Sequence, residues 1–214
     1  VVHGFGGNSA GAFLTAHPDV DAFTFTGETG TGETIMKAAA NGVRQVSLEL
    51  GGKNAGIVFA DCDMDKAIEG TLRSVFANCG QVCLGTERLY VERPIFDEFV
   101  ARLKAGAESL VIGPPDNEAS NFGPLISLKH REKVLSYYQK AEDEGANVIT
   151  GGGVPDMPAD LAHGAWVQPT IWTGLKDDSA VVTEEIFGPC CHIRPFDTEA
   201  EAVELANSLP YGLA

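Results

Sequence analysis

One pattern constrains this chain more than any other. A short β-rich run, a glycine turn and a helix-forming run follow one another, and strand-like and helix-like runs go on alternating along the sequence. Ala22–Thr26 (AFTFT) is rich in aromatic and β-branched residues and reads as a strand. GETGTGE follows it, then TIMKAAA, a good helix former. Free backbone N–H groups at such a strand–turn–helix junction make an anion site; a plain turn with a helix cap is the alternative. Further strands are expected at Gln45–Leu50, Ile57–Phe59, Glu87–Glu92, Asn147–Thr150, Trp166–Ile171 and Cys190–Phe196. Helices are expected between them. The first runs to His17 from a cap at Asn8 or Ser9, and Pro18 ends it. The next starts at the acidic cluster Asp61–Asp65 and runs to about Asn78, since carboxylates suit a helix N-terminus. Pro94 opens another, to about Leu110, with Ile95, Phe96, Phe99, Val100 and Leu103 on one apolar face. Two more are expected at Ser127–Glu144 and Thr198–Asn207, with a surface loop over Gly151–Gly164. Alternation of this kind predicts an α/β fold with mostly parallel strands.

Composition narrows the function classes. The formal net charge is −15 over 214 residues, which argues against nonspecific nucleic-acid binding. No run of about 18 apolar residues suggests a membrane span, and no charged-then-apolar leader opens the sequence. The five cysteines, Cys62, Cys79, Cys83, Cys190 and Cys191, are odd in number and not spaced as a disulfide framework or a zinc site. No metal is expected, and a reducing cytoplasm is the simplest setting. Asp61–Asp65 (DCDMD) lacks the glycine and distal glutamate of an EF-hand, so capping is the better reading.

The chemistry-bearing residues fall between Val46 and Arg88. Glu49 stands beside a glycine pair in LELGGK, and Cys83 sits in a glycine-flanked loop, GQVCLG. A loop thiol and a separate carboxylate suggest a nucleophile and a general base. Whether they meet in space is left open by the sequence. The glycine pair is a plausible domain crossing, since glycine tolerates unusual backbone angles.

Four pieces in order carry a resemblance: FTGETGTG (Phe25–Gly32), LELGGKN (Leu48–Asn54), FANCGQVCLG (Phe76–Gly85) and EEIFGP (Glu184–Pro189). They resemble the NAD(P)-dependent aldehyde dehydrogenase superfamily over the whole chain. Longer phrases such as GGKNAGIVFADCDMDKAIEG are similar to its 2-hydroxymuconic and 2-aminomuconic semialdehyde branch. The resemblance implies a mostly parallel three-layer sheet of the catalytic domain, over residues 51–214, preceded by the end of a Rossmann-like cofactor domain, over 1–50. It also implies a chain that begins inside one domain and stops inside the other, in which case the piece alone is inactive or at most a partial cofactor-binding module.

By the same resemblance, Cys83 is the nucleophile that forms a thiohemiacetal and then a thioester, and Glu49 is the base for deacylation. Gly27, Glu28, Gly32, Leu50 and Gly51 are implied on the cofactor side, with Glu28 acidic where many relatives have Ser. Glu185 is implied to hold the nicotinamide-side ribose, and Phe187 to pack near the nicotinamide. NAD is the expected cofactor, with NADP as the alternative, and an aldehyde the expected substrate. Betaine aldehyde is a second substrate class, and acyl transfer to CoA a second reaction, which Glu49 argues against. The parent enzyme is expected to be a homodimer or homotetramer. Cys79, Cys190 and Cys191 read as packing residues.

Overall fold

The computed structural model of the chain describes residues 1–213; Ala214, the last residue of the expected second domain, lies outside the described residues. The chain divides into two compact units, Val1–Gly51 and a second beginning at Gly52.

The first unit contains α1 (Ala10–Ala16), β1 (Ala22–Thr26), α2 (Thr29–Ala39) and β2 (Gln45–Glu49). The strands pair in parallel, Ala22 opposite Gln45 through Thr26 opposite Glu49. Arg44 knits the unit together. Its guanidinium donates to the carbonyls of Thr15, His17, Ala38 and Asn41 and lies 4.7 Å from the centre of the Phe23 ring. Two expectations need correcting. Ser9 occupies the N-cap position of α1 but its hydroxyl caps nothing. The helix after GETGTGE begins at Thr29, so Gly30 and Gly32 lie inside its first turns rather than before it.

The second unit contains β3 (Asn54–Val58), α3 (Met64–Phe76), β4 (Thr86–Glu92), α4 (Phe96–Glu108), α5 (Leu128–Asp143), β5 (Asn147–Thr150), β6 (Thr170–Thr173), α6 (Ala180–Thr183), β7 (Cys190–Phe196) and α7 (Glu199–Ala206). The five strands form one sheet in the order β3-β4-β7-β6-β5. All neighbours are parallel except β5 and β6. Strand alternation sorts the two faces. Leu89, Val91, Cys191 and Ile193 pack into one cluster with Ile68, Val75, Phe99 and Leu103 of α3 and α4. Tyr90 and Phe196, pointing the other way, pack with Ala202 of α7. The chain is thus α/β, with helices on both faces of a mostly parallel sheet.

Local capping signals act as expected: Asp63 accepts the Lys66 N–H and Ser127 accepts the His130 N–H. Elsewhere tertiary pairing overrides propensity. β3 covers Asn54–Val58 instead of Ile57–Phe59, because its ladder with β4 recruits Asn54, Ala55 and Gly56. β6 covers Thr170–Thr173 instead of Trp166–Ile171. Trp166 and Val167 are buried as part of a loop, the indole donating to the Leu161 carbonyl, and Pro169 has no N–H for a ladder. The helix after Pro94 starts as a 3-10 turn, Arg93–Ile95, before α4. Short α6 had no periodic signal. Among the described residues, no helix is long and apolar enough to cross a membrane.

Candidate active site

The cofactor-side candidates lie in the first unit. The Gly27 N–H donates to the Glu49 carbonyl at 3.0 Å and closes the end of the β1–β2 ladder. A Cβ at Gly27 would fall 2.5 Å from the Phe25 ring. Glu28 is the N-cap residue of α2, its carboxylate makes no cap hydrogen bond, and it lines a cavity of about 540 Å³. Gly6, Gly7 and Gly30 line the same cavity, and a Cβ added at any of them would meet nothing within 4 Å. Gly32 and Leu50 meet each other: a Cβ at Gly32 would lie 2.5 Å from Leu50 Cδ2, so the leucine side chain would have to shift to admit one. Gly51, half-buried, ends the unit. Glu49 is the exposed last residue of β2.

Cys83 lies in the second unit, on a tight turn between α3 and β4. The Gly85 N–H donates to the Val82 carbonyl at 2.8 Å and closes that turn. Among the described residues, the Cys83 N–H has no protein acceptor. The thiol is half-buried. The approach to this turn is strained. Asn78 (φ 50°, ψ 34°) and Cys79 (φ 56°, ψ 37°) are left-handed, and Gly80 (φ 72°) continues the pattern. Left-handed backbone disfavours side chains, so these residues need restraint. Cys79 has it: its S–H donates to the Gly123 carbonyl at 3.1 Å, and burial pushes the thiol's pKa up. Gly80 packs directly on the Gly188 carbonyl, where a Cβ would not fit. The cysteine loop and the EEIFGP turn therefore touch.

The segment Gly52-Lys53-Asn54 ties these two loops from below. The Gly52 N–H donates to Glu185 Oε1 at 2.9 Å. The buried Lys53 ammonium pairs with Glu87. Asn54 Nδ2 donates to the Cys83 carbonyl at 2.7 Å and to the Gly85 carbonyl at 3.2 Å. Glu87 also accepts the N–H of Phe187 at 2.8 Å and of Ile186 at 3.1 Å. Phe187 is left-handed, φ 61°. Its carbonyl takes a 2.7 Å hydrogen bond from His130 Nε2, which fixes that nitrogen as the protonated one. Burial raises the Glu185 pKa, and the Gly52 N–H partly offsets this. Oε1 is the oxygen engaged by backbone.

The structure thus brings Cys83, Glu185 and Phe187 onto two adjoining turns of one unit. Gly27, Glu28, Gly32, Glu49, Leu50 and Gly51 belong to the other. Asn54, Glu87 and His130 were missed in the sequence. A charged Glu87 beside Arg88 at the head of an otherwise apolar strand was the one available hint, because such residues are seldom buried unpaired.

The comparisons with known proteins agree on the family. The aldehyde dehydrogenase family model matches residues 1–214. Over 214 residues the chain is 86% identical to 2-hydroxymuconic semialdehyde dehydrogenase of Pseudomonas putida. It is 56% identical to 2-aminomuconic 6-semialdehyde dehydrogenase of a Pseudomonas species. In both cases all of this chain is covered but only 44% of the relative. A crystal structure of Staphylococcus aureus betaine aldehyde dehydrogenase in complex with NAD+ superposes with a TM-score of 0.90 at 39% identity, covering 94% of this chain and 40% of that one. A Bacillus cereus aldehyde dehydrogenase structure gives a TM-score of 0.93 at 38% identity, covering 98% and 41%. With a model matched along its whole length and relatives this similar, the chain belongs to the aldehyde dehydrogenase family.

Proposed function

We propose that this chain carries the nucleophile, the deacylating base and part of the cofactor cradle of an NAD(P)-dependent dehydrogenase. The substrate we infer is 2-hydroxymuconic semialdehyde, oxidised to its carboxylic acid. The 86% identity to a 2-hydroxymuconic semialdehyde dehydrogenase, sustained over all 214 residues, carries this reading. Residues 1–50 are assigned to cofactor binding and 51–214 to catalysis. A cytoplasmic setting and a homodimer or homotetramer belong to the same proposal.

Each residue's task follows from its chemistry. The Cys83 thiol releases its proton to solvent, and the thiolate attacks the aldehyde carbon, forming a C–S bond as the C=O π pair moves to oxygen and leaves a tetrahedral oxyanion. The free Cys83 N–H is a suitable donor to that oxyanion. As the C=O re-forms, hydride leaves carbon and an acyl-sulfur bond remains. Glu49, exposed and at a strand end, takes a proton from the water that cleaves this thioester, and the thiol regains a proton. NAD(P)+, when bound, supplies the hydride acceptor. The residues present fit it. The open cavity beside Gly6, Gly7 and Gly30 accepts a nucleotide at the start of α2, where unpaired N–H groups favour anions. With a dinucleotide bound, the Glu28 carboxylate would turn away from phosphate or meet a ribose hydroxyl, since like charges repel. Glu185 has one oxygen fixed by Gly52 and the other available to a ribose hydroxyl. Phe187 stands beside it for packing.

The test uses a protein of the relatives' length that contains this chain. Cys83→Ala should abolish NADH formation. Glu49→Gln should slow steady-state turnover by about 10²–10⁴-fold while preserving a burst of NADH, since deacylation alone loses its base. Undiminished turnover by Cys83→Ala would remove the nucleophile. A higher kcat/KM for betaine aldehyde than for 2-hydroxymuconic semialdehyde would remove the substrate.

A further inference from the structure

We propose that Asn54 is the positioning residue for Cys83, holding the nucleophile's turn through both of its side-chain amide hydrogens. This rests on the reading of Cys83 as the nucleophile.

The amide is built for the task. Asn54 is 6% exposed, and its Nδ2 reaches the carbonyls of Cys83 and Gly85. Those carbonyls flank Leu84, and the Gly85 N–H closes the turn on Val82. Rotation about the Cys83 backbone would therefore break two or three hydrogen bonds together. The sulfur and the free Cys83 N–H share that backbone, so one anchor orients both.

The sheet aims the amide. Asn54 is the first residue of β3 and lies opposite Thr86, the residue that directly follows the turn. The Lys53 carbonyl accepts from Arg88 Nε at 2.7 Å, and the Lys53 side chain is tied to Glu87. The backbone that carries Asn54 is thus fixed from the same strand that the turn feeds.

The other end of the side chain shows why this residue type is present. Asn54 Oδ1 is buried and has no hydrogen-bond partner. A buried acceptor without a donor is unfavourable, and a side chain kept only for packing would be apolar. The amide is retained for its two donated bonds. Aspartate has nearly the same shape but donates nothing and would face two carbonyl oxygens. Gly52 leaves the room: a Cβ there would lie 2.5 Å from Asn54 Oδ1 and 3.3 Å from the Cys83 carbonyl.

The experiment compares wild type, Asn54→Asp, Asn54→Ser, Gly52→Ala and Cys83→Ala in a protein of the relatives' length that contains this chain. Steady-state kinetics and hydrogen exchange at the Gly85 amide are measured on each. Asn54→Asp should lower kcat about 100-fold, the scale of a small misplacement of a reacting group. KM for aldehyde and for NAD should stay within about threefold, because neither ligand touches Asn54 in this reading. The Gly85 amide should exchange at least about tenfold faster as the turn opens. Asn54→Ser, with one shorter donor, should recover part of both effects. Gly52→Ala should reproduce the loss with Asn54 present, and it decides the matter if Asn54→Asp does not fold. A kcat within threefold of wild type, or unchanged Gly85 exchange, in the folded variants overturns the proposal. Full turnover by Cys83→Ala would instead overturn the nucleophile reading, and the exchange measurement would still judge the anchor alone.

Discussion

Replacing Lys53 by methionine isolates the charge that organises the second unit. The Lys53 side chain is 0% exposed and that of Glu87 9%. Methionine keeps the unbranched stem, so packing changes little and the ammonium alone is lost. Breaking a buried ion pair by removing one partner costs about 3–5 kcal/mol, because the other charge stays buried. Here Glu87 still accepts two backbone N–H groups, from Ile186 and Phe187. That residual solvation puts the cost at the lower end, about 3 kcal/mol. For a chain of this size the loss corresponds to roughly 6–12 °C in Tm. Both tryptophans, Trp166 and Trp172, are buried in the second unit, so their fluorescence during urea unfolding reports on that unit. Lys53→Met combined with Glu87→Gln removes the orphaned charge and keeps one acceptor for the amides. The double variant should be more stable than the sum of the single losses by at least about 1.5 kcal/mol, the coupling expected of direct partners. A Lys53→Met loss below about 1 kcal/mol, or strict additivity in the double variant, would refute the view that this pair holds the turn.

Two further outcomes follow from local geometry. Gly80→Ala should cost more than about 2 kcal/mol, since alanine disfavours φ 72° and its Cβ would overlap the Gly188 carbonyl. Gly70→Ala, in the exposed middle of α3 with nothing within 4 Å, should instead stabilise by about 0.5–1 kcal/mol; equal effects at both sites in urea titrations would contradict this. His192 is buried and neutral, accepting the Leu175 N–H at 3.2 Å, and burial lowers its pKa to about 4. Below the ordinary value of 6.5 the unfolded chain binds a proton that the folded chain refuses. Stability from this residue is therefore full above pH 6.5 and is lost as pH falls toward 4, by up to about 3 kcal/mol. His192→Gln should flatten that part of the pH profile, and an unchanged slope between pH 6.5 and 4 would count against it.

Much of the fold could be read from local signals. AFTFT, NVIT and CCHIRPF are strands where their β-branched and aromatic content puts them. Asp63 and Ser127 cap the helices their positions suggest. The misreadings share a cause. Asn54-Ala55-Gly56 has little strand propensity and joins a strand only because β4 lies alongside. The apolar Trp166-Val167 pair is buried by a loop, which period-2 alternation cannot distinguish from a strand. In the site, Cys83, Glu185 and Phe187 stood out through their motifs. Asn54, Glu87 and His130 did not, because their partners are 29, 100 and 57 residues away. No spacing rule reaches across such distances.

Strain shows what that hidden polar set does. Among the described residues, five non-glycine residues have positive φ, and three of them, Asn78, Cys79 and Phe187, lie on the two adjoining turns that carry Cys83 and Glu185. Backbone held in this region costs roughly 1–3 kcal/mol per residue and persists only where its surroundings over-determine it. Each strained residue has such surroundings. Asn78 Nδ2 donates to the Gln81 carbonyl, and Cys79 is held by Gly123. Phe187 is gripped by Glu87 at its N–H and by His130 at its carbonyl. A sheet stabilised by Leu89, Val91, Ile193 and Phe99 has no packing need for a buried Lys–Glu pair or for an amide with an orphan oxygen. Those groups cost stability in the interior unless paired. Their partners are the backbones of the cysteine and EEIFGP turns, so the polar interior of the second unit is spent on shaping the two loops that the proposed chemistry needs.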